Sequence, residues 1–146
     1  MIIDCHGHYT TAPKALEEWR NRQIAGLADP AVAPKAADLR IGDEALAESI
    51  ETNQLAKMKE RGSDLTIFSP RASFMAHHIG NFETSATWAA ICNELCYRVS
   101  RLFPDHFIGA AMLPQSPGVD PKTCIPELER CVTEYGFVAI NLNPDP

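Results

Sequence analysis

The stretch FIGAAML, Phe107–Leu113, is a nearly continuous apolar run. A strand without a polar face is typical of a parallel sheet that is covered on both sides. The flanking sequence agrees, because Thr84–Leu102 carries apolar residues at steps of three and four, which predicts a helix before the strand. Asp120 followed by Pro121 predicts a second, capped helix after it. Phe107–Leu113 is therefore predicted to be a strand between two helices of an α/β fold.

The rest of the chain repeats this alternation. Three more strands are predicted, at Ile2–His6, Asp64–Pro70 and Phe137–Asn143, and two more helices, at Pro13–Leu27 and Asp43–Arg61. The order β-α-α-β-α-β-α-β indicates a parallel sheet. The last residue, Pro146, follows the fourth strand at once, which leaves two interpretations: a small open α/β domain, or the first half of a TIM barrel, which needs eight strands.

Composition narrows the class of protein. The chain has 146 residues, 45% of them hydrophobic, and a net charge of −6, which is typical of one globular domain and provides no basic surface for nucleic acid. No apolar run has membrane-spanning length, and no signal peptide precedes Ile2, so we expect a cytoplasmic protein without a membrane partner. The five cysteines form no C-x-x-C pair and are predicted to be free thiols, with metal or redox use of Cys92 and Cys96 as the alternative.

The opening HGH motif is the first candidate site. Residues two apart on a strand share a face, so Asp4, His6 and His8 are predicted to lie on one side of the first strand. Two imidazoles at the carboxyl end of a barrel strand can converge on one metal ion, and zinc accepts histidine nitrogen. The spacing alone is a weak signal, and a pair of solvated or capping histidines is the alternative.

The sequence also carries a family resemblance. MIIDCHGHYTTAPKAL at the start of the chain is similar to the first strand of the amidohydrolase superfamily, in its amidohydrolase-2 branch of lyases and decarboxylases. ERGSDLTIFSPRASFMAHHIG, the long segment from Trp88 to Val132, and EYGFVAINLNPDP resemble the 4-oxalomesaconate hydratase family within that branch. The resemblance covers essentially the whole chain but about the first two-fifths of the family's length.

The resemblance implies a fold and a metal. Four parallel strands with their helices would be the first half of a TIM (β/α)8 barrel, and residues 1–146 would be the N-terminal part of a single barrel domain. His6 and His8 match the family's zinc ligands on strand one. The third histidine ligand and the acidic acid/base residue of the family are expected beyond Pro146, so no catalytic residue is assigned within this chain.

The resemblance also implies an anionic substrate. Arg71 is predicted to bind a carboxylate of a small tricarboxylate through two parallel hydrogen bonds, as guanidinium groups do. Asn141 and Asn143, of equal parity on the fourth strand, are predicted to face the same pocket. Ser73 and His77, in the loop after the second strand, are further substrate-binding candidates, although His78 is equally placed and solvated loop residues are the alternative.

The implied reaction is the addition of water across the C=C bond of 4-oxalomesaconate, giving 4-carboxy-4-hydroxy-2-oxoadipate in the 4,5-cleavage route for protocatechuate and gallate. Zinc supplies such hydro-lyases with an activated water. A metal-dependent decarboxylase on the same scaffold is the second hypothesis, and an inactive half-barrel is the third. Because the first and fourth strands lack outer partners, we expect a homo-oligomer.

Overall fold

The structure of the chain, a computed structural model, describes residues 1–71 and 75–143. The four strands are β1 (Ile3–Tyr9), β2 (Leu65–Pro70), β3 (Phe107–Met112) and β4 (Ala139–Asn141). The α-helices are α1 (Lys14–Ala25), α2 (Asp43–Ser49), α3 (Ala56–Arg61), α4 (Phe82–Leu102) and α5 (Ile125–Thr133). Short 3₁₀ turns lie at Pro30–Val32, Ala36–Asp38 and Pro121–Cys124. Within the described ranges, no helix has the length and apolar character needed to cross a membrane.

The four strands form one parallel sheet in the order β1-β2-β3-β4. Buried side chains of all five helices belong to one core cluster with those of the strands, as expected when right-handed crossovers between sequential neighbours place the helices on one face of a barrel wall. The sheet also curls, since the Asn141 amide on β4 lies 3.4 Å from the Ser69 hydroxyl on β2, although these strands would be about 9.6 Å apart in a flat sheet. The predicted series of four βα units is confirmed.

The strand β1 is longer than predicted and contains an irregularity. It runs to Tyr9 because Gly7, His8 and Tyr9 pair with residues 68–70 of β2. Asp4 pairs with Thr66 and Gly7 with Phe68, so one extra residue is inserted between them, as in a β-bulge. The bulge reverses the alternation. Asp4 is therefore on the opposite face from His8, and the prediction that Asp4 shares the histidine face is wrong.

The end of the chain is less regular than predicted. β4 pairs with β3 over only three residues, from Ala139 to Asn141. Phe137, predicted to be in the strand, instead lies over Gly109, where an added Cβ would be 2.0 Å from its ring. Asp120 caps as predicted, accepting from the Lys122 amide at 2.9 Å, but the first turn is a 3₁₀ helix.

The core lies between the sheet and the helices. Its largest fully buried side chains include Trp88, Phe68, Leu46, Ile50 and Val99. The apolar face predicted for α4 is buried except for Leu102. The apolar spacing from Cys124 to Tyr135 also predicts that Ile125 and Val132 lie on the core face of α5, but these side chains are 44% and 51% exposed. All five cysteines are free thiols, as predicted, and all but Cys5 are buried.

The predicted helix Asp43–Arg61 has the predicted ends but contains a π-turn at Ile50–Leu55 between α2 and α3. Two side chains within it bond back to carbonyls one turn earlier, Thr52 to Glu48 at 2.7 Å and Asn53 to Ser49 at 3.3 Å. Side chains of this kind compete with the backbone ladder and bend helices. The helix closes at Gly62, in the left-handed conformation with φ 68°.

Candidate functional site

The two histidines of HGH meet at the concave face of the sheet. The bulge brings His6 and His8 together, with their Nε2 atoms 3.1 Å apart and their ring planes nearly perpendicular. His8 is half-buried and His6 is exposed. They line an open cleft with Ser69 and Asn141 near the carboxyl ends of β1, β2 and β4. Catalytic groups in a (β/α)8 wall gather at this end.

Hydrogen bonds assign the proton of His8. The Ser69 hydroxyl lies 3.0 Å from the Gly7 carbonyl, to which it donates, and 2.7 Å from Nδ1 of His8. A hydroxyl that donates its proton to a carbonyl accepts from Nδ1–H, with the Pro70 carbonyl as a second acceptor at 3.2 Å. The Pro70 carbonyl, which can only accept, favours a proton at Nδ1, and Nε2 of His8 then accepts from the Nε2–H of His6. Metal-binding histidines are commonly oriented in this way.

The separation of the two Nε2 atoms fits a shared metal ion. Two nitrogens about 2.05 Å from a zinc ion, at the tetrahedral angle, lie about 3.3 Å apart, close to the 3.1 Å found here. The donor set, two neutral imidazoles, suits zinc and other first-row transition metals. Among the described residues, no group of three or more histidine, cysteine or acidic side chains is arranged to hold a metal ion. Here the chain therefore provides two ligands from one strand.

Of the predicted substrate-binding residues, Asn141 joins this cleft. Its amide donates toward the Ser69 hydroxyl at 3.4 Å, and its strand partner is Met112. Asn143 is held through its backbone, since its amide donates to the Gln115 side chain at 2.8 Å and its carbonyl accepts from that side chain at 2.9 Å. The Gln115 amide thus extends the pairing of β4 beyond its last strand residue.

Arg71 and His77 are not among the residues that line the histidine cleft. Arg71 is exposed and lines a neighbouring cleft with Thr10, Glu17 and Trp88. His77 is half-buried, and its ring contacts that of His78 at 5.8 Å between centroids. Ser73 lies outside the described residues. The structure thus groups His6, His8 and Asn141, and leaves the roles of Arg71 and His77 as predictions.

Gly7 is required between the two histidines. A Cβ at this position would lie 2.1 Å from the Thr66 methyl group, and Thr66 is buried. We expect Gly7→Ala to lower the free energy of unfolding by about 1–3 kcal/mol through overpacking. Removing the obstructing methyl with Thr66→Ser should restore part of that loss in the double mutant, as measured by urea unfolding. Additive losses would contradict this steric explanation.

Tyr9 anchors the end of β1 on the helix side. Its hydroxyl contacts the Ser49 hydroxyl at 2.7 Å, and burial raises the pKa of the phenol from 10.0 to about 12. The unfolded chain loses this proton first, so the stabilisation is complete below about pH 10 and is lost as the pH rises toward 12. A shift of this size corresponds to about 2–3 kcal/mol.

The matched variant is Tyr9→Phe, which lacks this titration. Urea unfolding at pH 9 and pH 11 should show a steeper loss of stability in the wild-type chain than in Tyr9→Phe, because only the wild type has the buried phenol. The buried cysteines contribute equally to both proteins, so their effect cancels in the comparison. Equal pH slopes would show that the phenol does not carry the effect.

Sequence reasoning missed two residues of the site. Ser69 sets the tautomer of His8, but it was hidden in the apolar run of β2. Its position at the carboxyl end of a parallel strand, directly before Pro70, was the available signal. Gln54 donates to the His8 carbonyl at 2.5 Å, and nothing in the helical pattern of Asp43–Arg61 distinguishes it from a surface residue.

Comparison with known proteins identifies two hydratases that are similar to the chain. It is 55% identical to a 2-keto-4-carboxy-3-hexenedioate hydratase from Sphingobium over all 146 residues, which are 42% of that protein. The crystal structure of 4-oxalomesaconate hydratase from Rhodopseudomonas palustris is 76% identical, with a TM-score of 0.95, and the chain covers 43% of it. The half-barrel predicted from the sequence is confirmed by this match.

A more distant match carries a metal. This match is a dihydroxybenzoic acid decarboxylase from Polaromonas, solved with bound manganese and an inhibitor. It is 25% identical to the chain, with a TM-score of 0.60. The match covers 97% of the chain and 38% of the decarboxylase. The chain thus spans less than half the length of these relatives. The amidohydrolase family model (Amidohydro_2) matches residues 3–146. The chain belongs to the amidohydrolase family.

Proposed function

We propose that this chain supplies the first half of the barrel of a hydratase that adds water across the C=C bond of 4-oxalomesaconate to give 4-carboxy-4-hydroxy-2-oxoadipate. The observation that carries the proposal is the 76% identity to the R. palustris hydratase over the whole chain. The identity of 55% to a second hydratase agrees with it. Residues 1–146 then form the N-terminal part of a single barrel domain.

We propose that the pair His6 and His8 binds a divalent metal, and that the metal is zinc. The 3.1 Å between the Nε2 atoms and the Nδ1–H of His8 support two neutral nitrogen ligands directed at one point. Bound zinc would lower the pKa of a water ligand toward neutrality and so supply a nucleophile at neutral pH. The third ligand and the acid/base residue are expected outside this chain.

The remaining residues of the proposal would bind and orient the substrate. The Asn141 amide, beside Ser69, is placed to hold a carboxylate or carbonyl oxygen of the substrate near the histidines. Arg71, with Asn143, Ser73 and His77 as further candidates, would bind a carboxylate farther from the metal. A tricarboxylate needs several such donors, because each buried carboxylate must be paired.

The assembly and location complete the proposal. Ile3 and Ile140, on the two outer strands, are 49% and 46% exposed, which supports burial of both edges against further polypeptide, including a homo-oligomer. We propose a cytoplasmic enzyme of aromatic-compound catabolism, with a small acid as its partner and neither nucleic acid nor membrane as a ligand.

A chimera tests the function. This chain replaces the matching segment of the R. palustris hydratase, and the purified protein is loaded with zinc and given 4-oxalomesaconate. We expect loss of the absorbance of the conjugated substrate without release of CO₂, and no turnover with His6→Ala in the same chimera. Release of CO₂ would favour the decarboxylase. A folded, metal-loaded chimera without turnover would contradict the hydratase proposal.

A further inference from the structure

We propose that the π-turn at Ile50–Leu55 is a clamp on the metal-binding end of β1, and that Gln54 is the positioning residue for the pair His6 and His8. The inference rests on the proposed function, because it assigns to Gln54 the task of holding the proposed ligands at their separation. Gln54 contacts the backbone of His8 rather than its ring, so it would act on the metal through His8 and not as a ligand itself.

The Gln54 side chain joins two points of the site. Its Nε2 donates to the His8 carbonyl at 2.5 Å, and its Oε1 lies 3.0 Å from the Thr11 hydroxyl. Thr11 begins the connection from β1 to α1, and its hydroxyl also lies 2.9 Å from the Ser49 carbonyl. One half-buried amide therefore ties the end of β1 to the loop that follows it.

Ser49 provides the second contact of the same helix with β1. Its hydroxyl donates to the Leu46 carbonyl at 2.7 Å and accepts from the Tyr9 hydroxyl at 2.7 Å. Ser49 and Gln54 therefore contact three positions around the strand end, namely His8, Tyr9 and Thr11. Two side chains five residues apart share one target.

This shared target explains why the helix needs the π-turn. In an α-helix residues advance by about 100°, so positions five apart differ by about 140° and face different directions. A π-turn bonds residue i to residue i+5 and brings these positions above one another. The insertion at Ile50–Leu55 thus lets Ser49 and Gln54 face β1 together.

These contacts hold His8 at both its backbone carbonyl and its imidazole ring. Its carbonyl accepts from Gln54 at 2.5 Å and from the Thr10 amide at 2.8 Å, while its ring nitrogen Nδ1 is held by Ser69. With both ends fixed, Nε2 stays 3.1 Å from its counterpart on His6. Loss of the Gln54 bond leaves the carbonyl held by the Thr10 amide alone, and we expect the ring to shift relative to His6.

The test compares two glutamines by the same substitution. Gln54→Leu removes the clamp, and Gln23→Leu is the matched control, since Gln23 is also half-buried and donates to a backbone carbonyl, that of Thr84, at 3.2 Å. Two quantities are measured on the whole chain: the dissociation constant for Zn²⁺, by competition with a chromogenic chelator, and the imidazole ¹⁵N shifts of His8 without metal.

We expect Gln54→Leu to weaken Zn²⁺ binding about tenfold or more, as loss of outer-shell support does, and to reduce the fraction of His8 protonated at Nδ1. Gln23→Leu should leave both quantities within twofold of wild type. Equal losses of affinity in the two variants, or wild-type values for Gln54→Leu, would overturn the inference.

The experiment distinguishes failure of the metal proposal from failure of the clamp proposal. If the wild-type chain bound no Zn²⁺, the affinities would be measured in the chimera, which supplies the third ligand, and absence of Zn²⁺ there would show that the metal assignment is wrong. In either case, unchanged His8 ¹⁵N shifts in Gln54→Leu would overturn the clamp, and altered shifts would support it. If Gln54→Leu does not fold, Thr11→Val is measured instead, because this substitution removes the hydroxyl that contacts Gln54 and Ser49. A loss of Zn²⁺ affinity of about threefold in Thr11→Val would support the clamp, and an unchanged affinity would overturn it.

Discussion

Replacing His6 or His8 with alanine should weaken Zn²⁺ binding more than about 100-fold, because outer-shell substitutions alone cost about 10–100-fold and these changes remove a ligand. The two Nε2 atoms lie 3.1 Å apart and share one point of convergence, so we expect either single variant to lose nearly as much affinity as the double variant. The measurement is a competition titration of Zn²⁺ with a chromogenic chelator.

The control for this experiment is His106→Gln. His106 directly precedes β3 and thus lies at its amino-terminal end, opposite the cleft. Its replacement should leave the Zn²⁺ dissociation constant unchanged within about twofold. If His106→Gln weakened binding as much as His8→Ala, zinc would be bound at several surface histidines, and the HGH motif would not be the site.

The largest loss of stability should follow Phe68→Ala. Phe68 is fully buried on the helix side of β2, with ring centroids 5.2 Å from Tyr9 and 5.0 Å from Phe107. Deletion of a ring in this position removes buried apolar area and leaves a cavity, which costs about 3–5 kcal/mol. Phe68 also pairs with Gly7 in the register of β1 and β2, so the alignment of the histidines depends on the same contact.

Urea unfolding of Phe68→Leu, Phe68→Ala and Val138→Ala measures this effect. We expect Phe68→Leu to lose less stability than Phe68→Ala, because a smaller cavity remains. Val138 is 58% exposed, so its truncation should change the free energy of unfolding by less than about 0.5 kcal/mol. A loss below about 1 kcal/mol for Phe68→Ala would show that the aromatic cluster does not hold β1 on β2.

Much of the fold was predictable from local pattern. β2 and β3 are apolar runs ended by proline or a loop, and the α4 periodicity identified its buried face, so their positions follow from burial and steric rules that act over a few residues. The HGH motif predicted that His6 and His8 converge, and they do, because both imidazoles lie on one strand. Asn141, predicted to face this pocket, lies beside Ser69 in it, whereas Asn143, of the same parity, bonds to Gln115 through its backbone.

What the sequence did not predict depends on contacts between distant segments. The bulge in β1 is defined only by its register against β2, and it moves Asp4 to the other face. The π-turn arises in a segment of ordinary helical composition and is stabilised by contacts with β1. Exposure of Val132 likewise reflects which side of α5 the sheet covers, and periodicity leaves this choice open.

The location of a bound zinc ion tests the metal site most directly. Crystals of the chain grown with zinc would be measured at the zinc absorption edge, and the anomalous difference map calculated. We expect a peak about 2.0–2.1 Å from Nε2 of both His6 and His8. A zinc ion bound elsewhere, with these two nitrogens still 3.1 Å apart and without a metal between them, would contradict the assignment of HGH as the metal-binding motif.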